Sequence, residues 1–496
     1  MSMRGAGVSI VRVVRWRETN RPTAATPRSH TLLHRTAVDP HASIEARGSD
    51  AGATGAAGPA KVVSEADAML MKAAEAMRAA APVRAAVQQN IRDLLFVLGL
   101  LLGGVAPSSA QPAVPVATPL LGDEVMTAGA GATLTNAAAR LVANVEDRYV
   151  PIRLFDQRGR LRRSVNATYR LGKLVLFDEP QENWFRVANH EVFGHGGRLR
   201  DLFNGHIGYD LPPPPPYGRG GGATFFEFDR PPTFEEVLAV SAGGMEANYV
   251  LARALAKDAM TAGQWHYRDA RRYLYAEYDT IRYILGTDDL EKAGHDVGDF
   301  RSVYNELATK VGEKTLSART LRRRALASFA NPLIAYSYYA TLISYVWQGR
   351  TATPIPMIRF GDTRYLPMAR FHLTSFGTEF VIDNAFVRNG RFTDVTLGLG
   401  ETVGTRTWSI GLQGTRLASI RQWVLDGQAT VWRQTDWGGQ FAVTAERRIV
   451  RRGTHALAIV AQGGFKTDGF SPGDRLYQGA IVRIGAAFMP TSLQSP

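Results

Sequence analysis

The sequence predicts an α+β protein of several domains, with a mostly helical region followed by an antiparallel all-β region. The chain has 496 residues, which is long for a single hydrophobic core. Apolar residues recur at helical spacing through residues 136–350. Over residues 366–490 apolar and polar residues alternate instead, with the period of a β-strand. We therefore expect a helical domain and a β domain joined by a linker at 351–365.

The N-terminal part is predicted to be a targeting region. Residues 1–76 are rich in Ala, Arg, Thr and Gly without apolar periodicity, which indicates a disordered segment or a mis-assigned start. Residues 77–110 combine basic residues, a short apolar run and small residues ending at Ala110, as in a signal peptide. An uncleaved anchor is the alternative. After a linker at 111–135, we expect an exported protein, in the periplasm or outer membrane of a Gram-negative bacterium.

The amino-acid composition limits the partners and the metal ligands that the protein can use. The net charge is +13, but the basic residues form no dense stripe interleaved with aromatic residues, so nucleic-acid binding is excluded. The chain contains no cysteine, which removes disulfides, thiolate ligands and cysteine nucleophiles. Any bound metal must be held by His, Asp and Glu side chains.

The β region contains about eight alternating segments separated by turn signals. In one of them Trp408, Ile410 and Leu412 share a face. Segments of this length and alternation are required by an outer-membrane barrel. A soluble sandwich packed on the helical domain explains the same pattern, so both architectures stay open.

Two histidines and a glutamate lie within six positions of the helical region: His190, Glu191 and His195. On a regular α-helix, residues five apart point about 140° away from each other, so both rings could not reach one ion. A π-bulge absorbs one residue and realigns the two faces. Gly194 leaves the backbone room for such a bulge, so the spacing predicts a metal site on a locally widened helix.

The stretch His190-Glu-Val-Phe-Gly-His195 reads His-Glu-x-x-Gly-His, which resembles the zinc motif of the dipeptidyl peptidase III family of metallopeptidases. The resemblance implies that His190 and His195 bind zinc and that Glu191 activates water as a general base. It also implies a further zinc-binding glutamate on a later helix. Because the resemblance covers six residues, we expect the site logic of the wider zincin class and not membership of that family.

The third ligand is expected on the helix that begins near Thr233. Thr233 and Glu236 form a capping-box pattern, and Glu235 in the first turn suits the helix dipole. Glu246 lies mid-helix among small residues, where a buried carboxylate is costly unless a positive partner meets it. We therefore predict Glu246 as the third zinc ligand, with the pair Glu235–Glu236 and His206 as alternatives.

Other residues receive supporting roles. The stretch 173–177 is predicted to be a strand, followed by a helix opened by Asp178 and Gln181. The stretch 223–228 is predicted to be a strand, either buried or able to pair with an extended peptide. The candidate oxyanion donors are Tyr217, Tyr249 and His266. The candidate hydrogen-bonding partners of the metal ligands are Asn189 and Asn248.

Together these features predict an exported, Zn²⁺-dependent metallopeptidase that hydrolyses a peptide or protein substrate, with Glu191 as the general base. The rival from another class is a non-catalytic outer-membrane or periplasmic binding protein in which the His/Glu cluster is structural.

Overall fold

The computed structural model describes residues 12–13, 118–156, 159–287, 290, 294–452 and 455–490. The predicted signal peptide at 77–110 and nearly all of the predicted disordered start lie outside these residues. Within the described residues, no helix combines the length and apolarity needed to cross a membrane.

The region between residues 128 and 347 is helical, as predicted, apart from short strands. Its first helix begins at Ala128, inside the predicted linker at 111–135. The α-helices are α1 (Ala128–Tyr149), α2 (Arg160–Lys173), α3 (Glu179–Ala188), α4 (Gly196–Leu202), α5 (Phe234–Ala262), α6 (Tyr267–Gly286), α7 (Asp296–Lys310), α8 (Ala318–Leu326) and α9 (Pro332–Tyr338).

Within the described residues, three π-helical segments and one 3₁₀ turn continue some of these helices. The π segments are Leu174–Asp178, Asn189–His195 and Tyr339–Trp347, and the 3₁₀ turn is Ala327–Ala330. The predicted strand at 173–177 and the predicted cap at Asp178 are therefore wrong. Asp178 has helical φ and ψ of −70° and −47°, and its carboxylate accepts hydrogen bonds from Lys173 instead of capping the chain.

The strands form two small sheets and one large one. The short strands are β1 (Arg12–Val13), β3 (Ile207–Asp210), β4 (Ala223–Phe226), β5 (Gln264–His266) and β6 (Ala352–Pro354). The large sheet contains β2 (Thr118–Gly122), β7 (Ile358–Phe360), β8 (Thr363–Leu373), β9 (Gly377–Arg388), β10 (Arg391–Thr402), β11 (Thr405–Ile420), β12 (Trp423–Arg433), β13 (Trp437–Arg452), β14 (His455–Lys466) and β15 (Gly479–Pro490).

The large sheet is antiparallel and has ten strands in the order β2-β15-β14-β13-β12-β11-β10-β9-β8-β7. The eight segments predicted from alternation correspond to β8–β15. The sequence analysis missed two edge strands, because β2 and β7 lie inside the stretches predicted as linkers. Strand β4 confirms the predicted strand at 223–228.

The helices and the sheet share a hydrophobic core. It joins Leu255 of α5 and Tyr273 of α6 to Leu366, Ala385 and Phe392 of the sheet. The stretch 351–365 is therefore not a boundary in the packing. Helix α5 is central to this arrangement, and it begins with the predicted capping box between Thr233 and Glu236.

Candidate metal centre

The predicted widening of the helix at His190 and His195 is confirmed. Residues Asn189–His195 form a π-helix, and the Gly196 N–H donates to the carbonyl of Glu191, five residues earlier. This pattern stacks residues five apart on one face. The two imidazole rings consequently meet, with their centroids 4.9 Å apart.

The two rings and a carboxylate from α7 converge on one point. His190 Nε2 lies 3.1 Å from His195 Nε2 and 3.0 Å from Asp296 Oδ2, and His195 Nε2 lies 3.3 Å from the same oxygen. Ligands about 2.0–2.1 Å from a tetrahedral ion are separated by about 3.3–3.4 Å along each edge, by simple geometry. His190, His195 and Asp296 thus form a buried group that could hold a metal ion.

The far side of each ring is anchored. His195 Nδ1 lies 2.8 Å from the carbonyl oxygen of Val240, which can only accept, so this nitrogen is the donor. His190 Nδ1 lies 2.7 Å from Asp279 Oδ2. Such partners fix the tautomer and orientation of metal-binding imidazoles. In the neutral rings both Nε2 lone pairs then face each other and Asp296, an arrangement that needs a cation between them.

Without a metal ion, protons on the two imidazole rings supply the positive charge between these groups. Burial alone would lower the pKa of His190, but the charge of Asp279 and the hydrogen bonds that the ring donates to Asp279 and Asp296 raise it to about 10. The pKa of His195 is also raised, because Asp296 outweighs burial. Burial would raise the pKa values of Asp279 and Asp296, yet the facing imidazoles hold both well below the usual range. A metal ion would replace these protons.

Asp279 of α6 is itself fixed by neighbours. The Asn248 side chain donates to Asp279 Oδ2 at 2.8 Å, and Arg186 pairs with the other carboxylate oxygen. Asn189 in turn donates to Asn248 at 3.0 Å. Both asparagines predicted to support the ligands thus lie in the network behind His190.

Glu191 is the neighbour of His190 in the sequence, and only one of its two carboxylate oxygens has a hydrogen-bond partner among the described residues. Its Oε2 accepts from Thr224 Oγ1 of β4 at 2.8 Å, whereas the buried Oε1 has no hydrogen-bond partner among the described residues. The same is true of Asp296 Oδ1. Because buried polar atoms are normally satisfied, two such oxygens at one site indicate places for a ligand or water.

Two glycines allow the helices to approach closely enough to build the group. A Cβ on Gly194 would lie 2.5 Å from the Cα of Gly244. A Cβ on Gly244 would lie 2.2 Å from His190 Nε2. Small residues are therefore required at this point of α5, since a side chain on Gly244 would displace the ring of His190.

Glu246 does not join the group, whose carboxylate belongs to Asp296. Arg198 supplies the positive partner that its buried position requires, at 2.6 Å from Oε1 and 2.9 Å from Oε2. The backbone N–H of Gly473 donates to Oε1 at 2.9 Å. The sequence analysis did not name Asp296, an acidic residue in the first turn of α7.

The remaining predicted candidates have other partners in the described part of the chain. Glu236 contacts Arg230 and Thr233, whereas His206 is exposed. Among the candidate oxyanion donors, Tyr217 donates to the Leu176 carbonyl, Tyr249 stacks on His372, and His266 caps α6. The ring that does stack on His190 belongs to Tyr283, at 5.4 Å between centroids.

Comparison of the chain with protein-family models, with curated proteins and with solved structures gave no match.

Proposed function

We propose that this chain is a zinc-dependent metallopeptidase of the zincin class. The observation that supports the proposal is the convergence of His190 Nε2, His195 Nε2 and Asp296 Oδ2 within 3.3 Å of one another, beside the partly unsatisfied Glu191. Two imidazoles and one carboxylate are a ligand set of catalytic zinc sites, which keep a fourth position open. The set shares two histidines and a glutamate base with the dipeptidyl peptidase III motif but takes its carboxylate ligand from an aspartate.

The roles of the side chains follow from their contacts. His190, His195 and Asp296 would hold the metal, and Asp279 and the Val240 carbonyl would keep the two rings in place. A bound zinc ion would act as a Lewis acid on water and on a peptide carbonyl.

Glu191 is the proposed general base. Thr224 fixes its Oε2, so that Oε1 is left to take a proton from water and to deliver that proton to the leaving amine. A cleft of about 710 Å³, lined by neighbours of the buried group and not by its own residues, is the proposed route for the substrate. Its wall includes Val240, whose carbonyl holds His195, and Asp299, one turn after Asp296.

Burial of the group favours a second candidate function. His190, Glu191 and His195 are fully buried, and Asp296 is 1% exposed. A metal at this depth could serve to tie the π-helix to α7 without catalysis, as structural zinc sites do. In that case Glu191 would be dispensable for everything except local packing.

Metal analysis and one conservative substitution separate the two functions. The purified full chain should contain about one zinc per chain. Glu191→Gln should keep the metal and lose hydrolysis of an unstructured protein substrate, whereas His190→Ala should lose both. Glu235→Gln is the matched control, because it makes the same change from carboxylate to carboxamide at an exposed position in the first turn of α5.

Three results decide against the peptidase. A chain without bound metal removes the site, and a Glu191→Gln variant with full activity removes the proposed mechanism. Zinc bound by a chain that hydrolyses no peptide, with loss of stability on chelation, establishes the structural role instead.

A further inference from the structure

The large sheet exposes apolar side chains on the face that points away from the helices. Each of six successive strands, β10–β15, contributes an outward residue that is between 43% and 66% exposed: Leu397, Ile410, Val431, Phe441, Ile459 and Ile484. Leu397, Ile410 and Val431 are direct partners in the register. Apolar patches on ordinary surfaces are seldom this broad, so the face needs a partner.

The inward face of the same strands carries polar side chains as well as buried apolar ones such as Trp432 and Val460. Thr444 accepts from Gln462 at 3.0 Å, and Gln462 in turn accepts from Arg483 at 2.8 Å. Thr396 and Thr430 face the space between the sheet and α5. An exposed face that is apolar, over an inward face that includes polar side chains, departs from the pattern of a water-exposed sheet and matches that of a sheet facing lipid.

Tryptophans border the apolar face at both ends. Trp408 and Trp437 contact each other, with ring centroids 5.1 Å apart, and both pair with Arg433 in the register. Trp423 lies at the opposite end of β12. The ten-residue step from Trp423 to Arg433 spans roughly 33 Å along the strand, or about 25 Å across the layer at a tilt near 40°. This height matches the apolar layer of a bilayer, whose boundaries attract Trp.

The Trp423 end of the face is also positively charged. Arg416, Arg421, Arg447 and Arg448 are exposed there. Two carboxylates, Asp426 and Glu446, lie among them, and Arg416 and Arg448 act electrostatically on Glu446. The excess of cations favours a surface that carries negative charge.

We propose that the outward face of β10–β15 is a lipid-binding surface, in contact with the acyl chains of an anionic bilayer and with its arginine end at the headgroups. A protein partner fits less well, because protein interfaces include polar groups over about 40% of their area. Here the polar and charged groups lie at the ends of the face. The proposal is independent of the metal centre.

A site-specific probe tests this contact in the intact chain. Because the chain has no cysteine, a single cysteine can carry an environment-sensitive fluorophore. Leu412→Cys places the label on the outward face, and the adjacent Gln413→Cys places it inward, facing the space beside α5. In vesicles of phosphatidylcholine and phosphatidylglycerol with nitroxide-labelled acyl chains, the label at 412 should be quenched and the label at 413 should not. Equal quenching, or none, overturns the proposal.

Vesicle flotation supplies the second test. The wild-type chain should float with the same vesicles, and Arg447→Gln with Arg448→Gln should lower the partition coefficient about fivefold per arginine removed. The double variant Ile410→Glu and Ile484→Glu should lose binding, whereas Leu161→Glu, at an exposed apolar position of α2, should retain it.

A wild-type chain that is monodisperse without detergent and does not float refutes the proposal. A detergent-free dimer that these two glutamates dissociate assigns the face to a second copy of the chain and refutes it equally.

Discussion

Gly244→Ala should weaken metal binding by contact with the ring of His190. The added Cβ would lie 2.2 Å from His190 Nε2, where ordinary contacts begin at 3.4 Å. The ring must therefore retreat by roughly 1 Å, which is half of a zinc–nitrogen bond of about 2.0–2.1 Å. Since Asp279 holds the other side of the ring at 2.7 Å, the ring has no free direction in which to move. We expect the metal affinity to fall about 100-fold, the upper range for lost support of a metal-binding histidine.

Competition with a chelating dye measures this affinity directly. Gly172→Ala is the matched control, because it replaces a helical glycine of α2 with nothing within 4 Å of the new methyl group. It should leave metal binding unchanged and stabilise the helix by about 0.5–1 kcal/mol. A Gly244→Ala protein that binds metal as tightly as the wild type would refute the close approach of α5 to the π-helix as the basis of the site.

Three further results are expected. Asp279→Asn should weaken metal binding about 10–100-fold in the same dye assay, because the amide orients His190 less strongly, and unchanged binding would contradict its supporting role. Metal affinity should rise with pH, because the metal ion displaces protons from the imidazoles. The rise should be about tenfold per pH unit for each proton displaced and should end where the pH passes the raised pKa of His190, at about 10. A metal affinity that does not change with pH would contradict competition between protons and the metal. Glu246→Gln should lower the free energy of unfolding by about 1.5–3 kcal/mol, since it removes the closer of the two carboxylates paired with Arg198 and leaves Asp201 at 3.6 Å, but keep the metal. Loss of metal at unchanged stability would restore Glu246 as a ligand.

Local spacing was sufficient to predict the unusual part of the site. The interval of five residues between His190 and His195 is incompatible with one face of an α-helix, and the π-helix Asn189–His195 follows from that mismatch. The capping box at Thr233 and the strands from alternation are equally local signals. Such features depend on residues within one or two turns, so they can be read without knowledge of the fold.

The carboxylates could not be assigned in this way. Asp279 and Asp296 lie 89 and 106 residues after His190, so only tertiary packing brings them to the ring. Glu246 shows the converse, because the argument that its buried charge needs a cation was sound but the cation is Arg198. Burial cost specifies that a partner exists, whereas the identity of the partner depends on which helices meet.

The Arg198–Glu246 pair also connects the two halves of the described structure. Arg198 lies in α4, directly after His195, and donates to the Asp474 carbonyl in the connection between β14 and β15, 3.0 Å away. Asp201 of the same helix accepts from the Leu476 N–H in that connection at 2.8 Å. Helix α4, which continues the π-helix that carries both histidines, is therefore held by the loop between two strands of the proposed lipid-facing sheet. A distortion of that loop should reach the metal ligands through α4, so that the position of the sheet and the geometry of the metal centre are mechanically linked even though each can be tested alone.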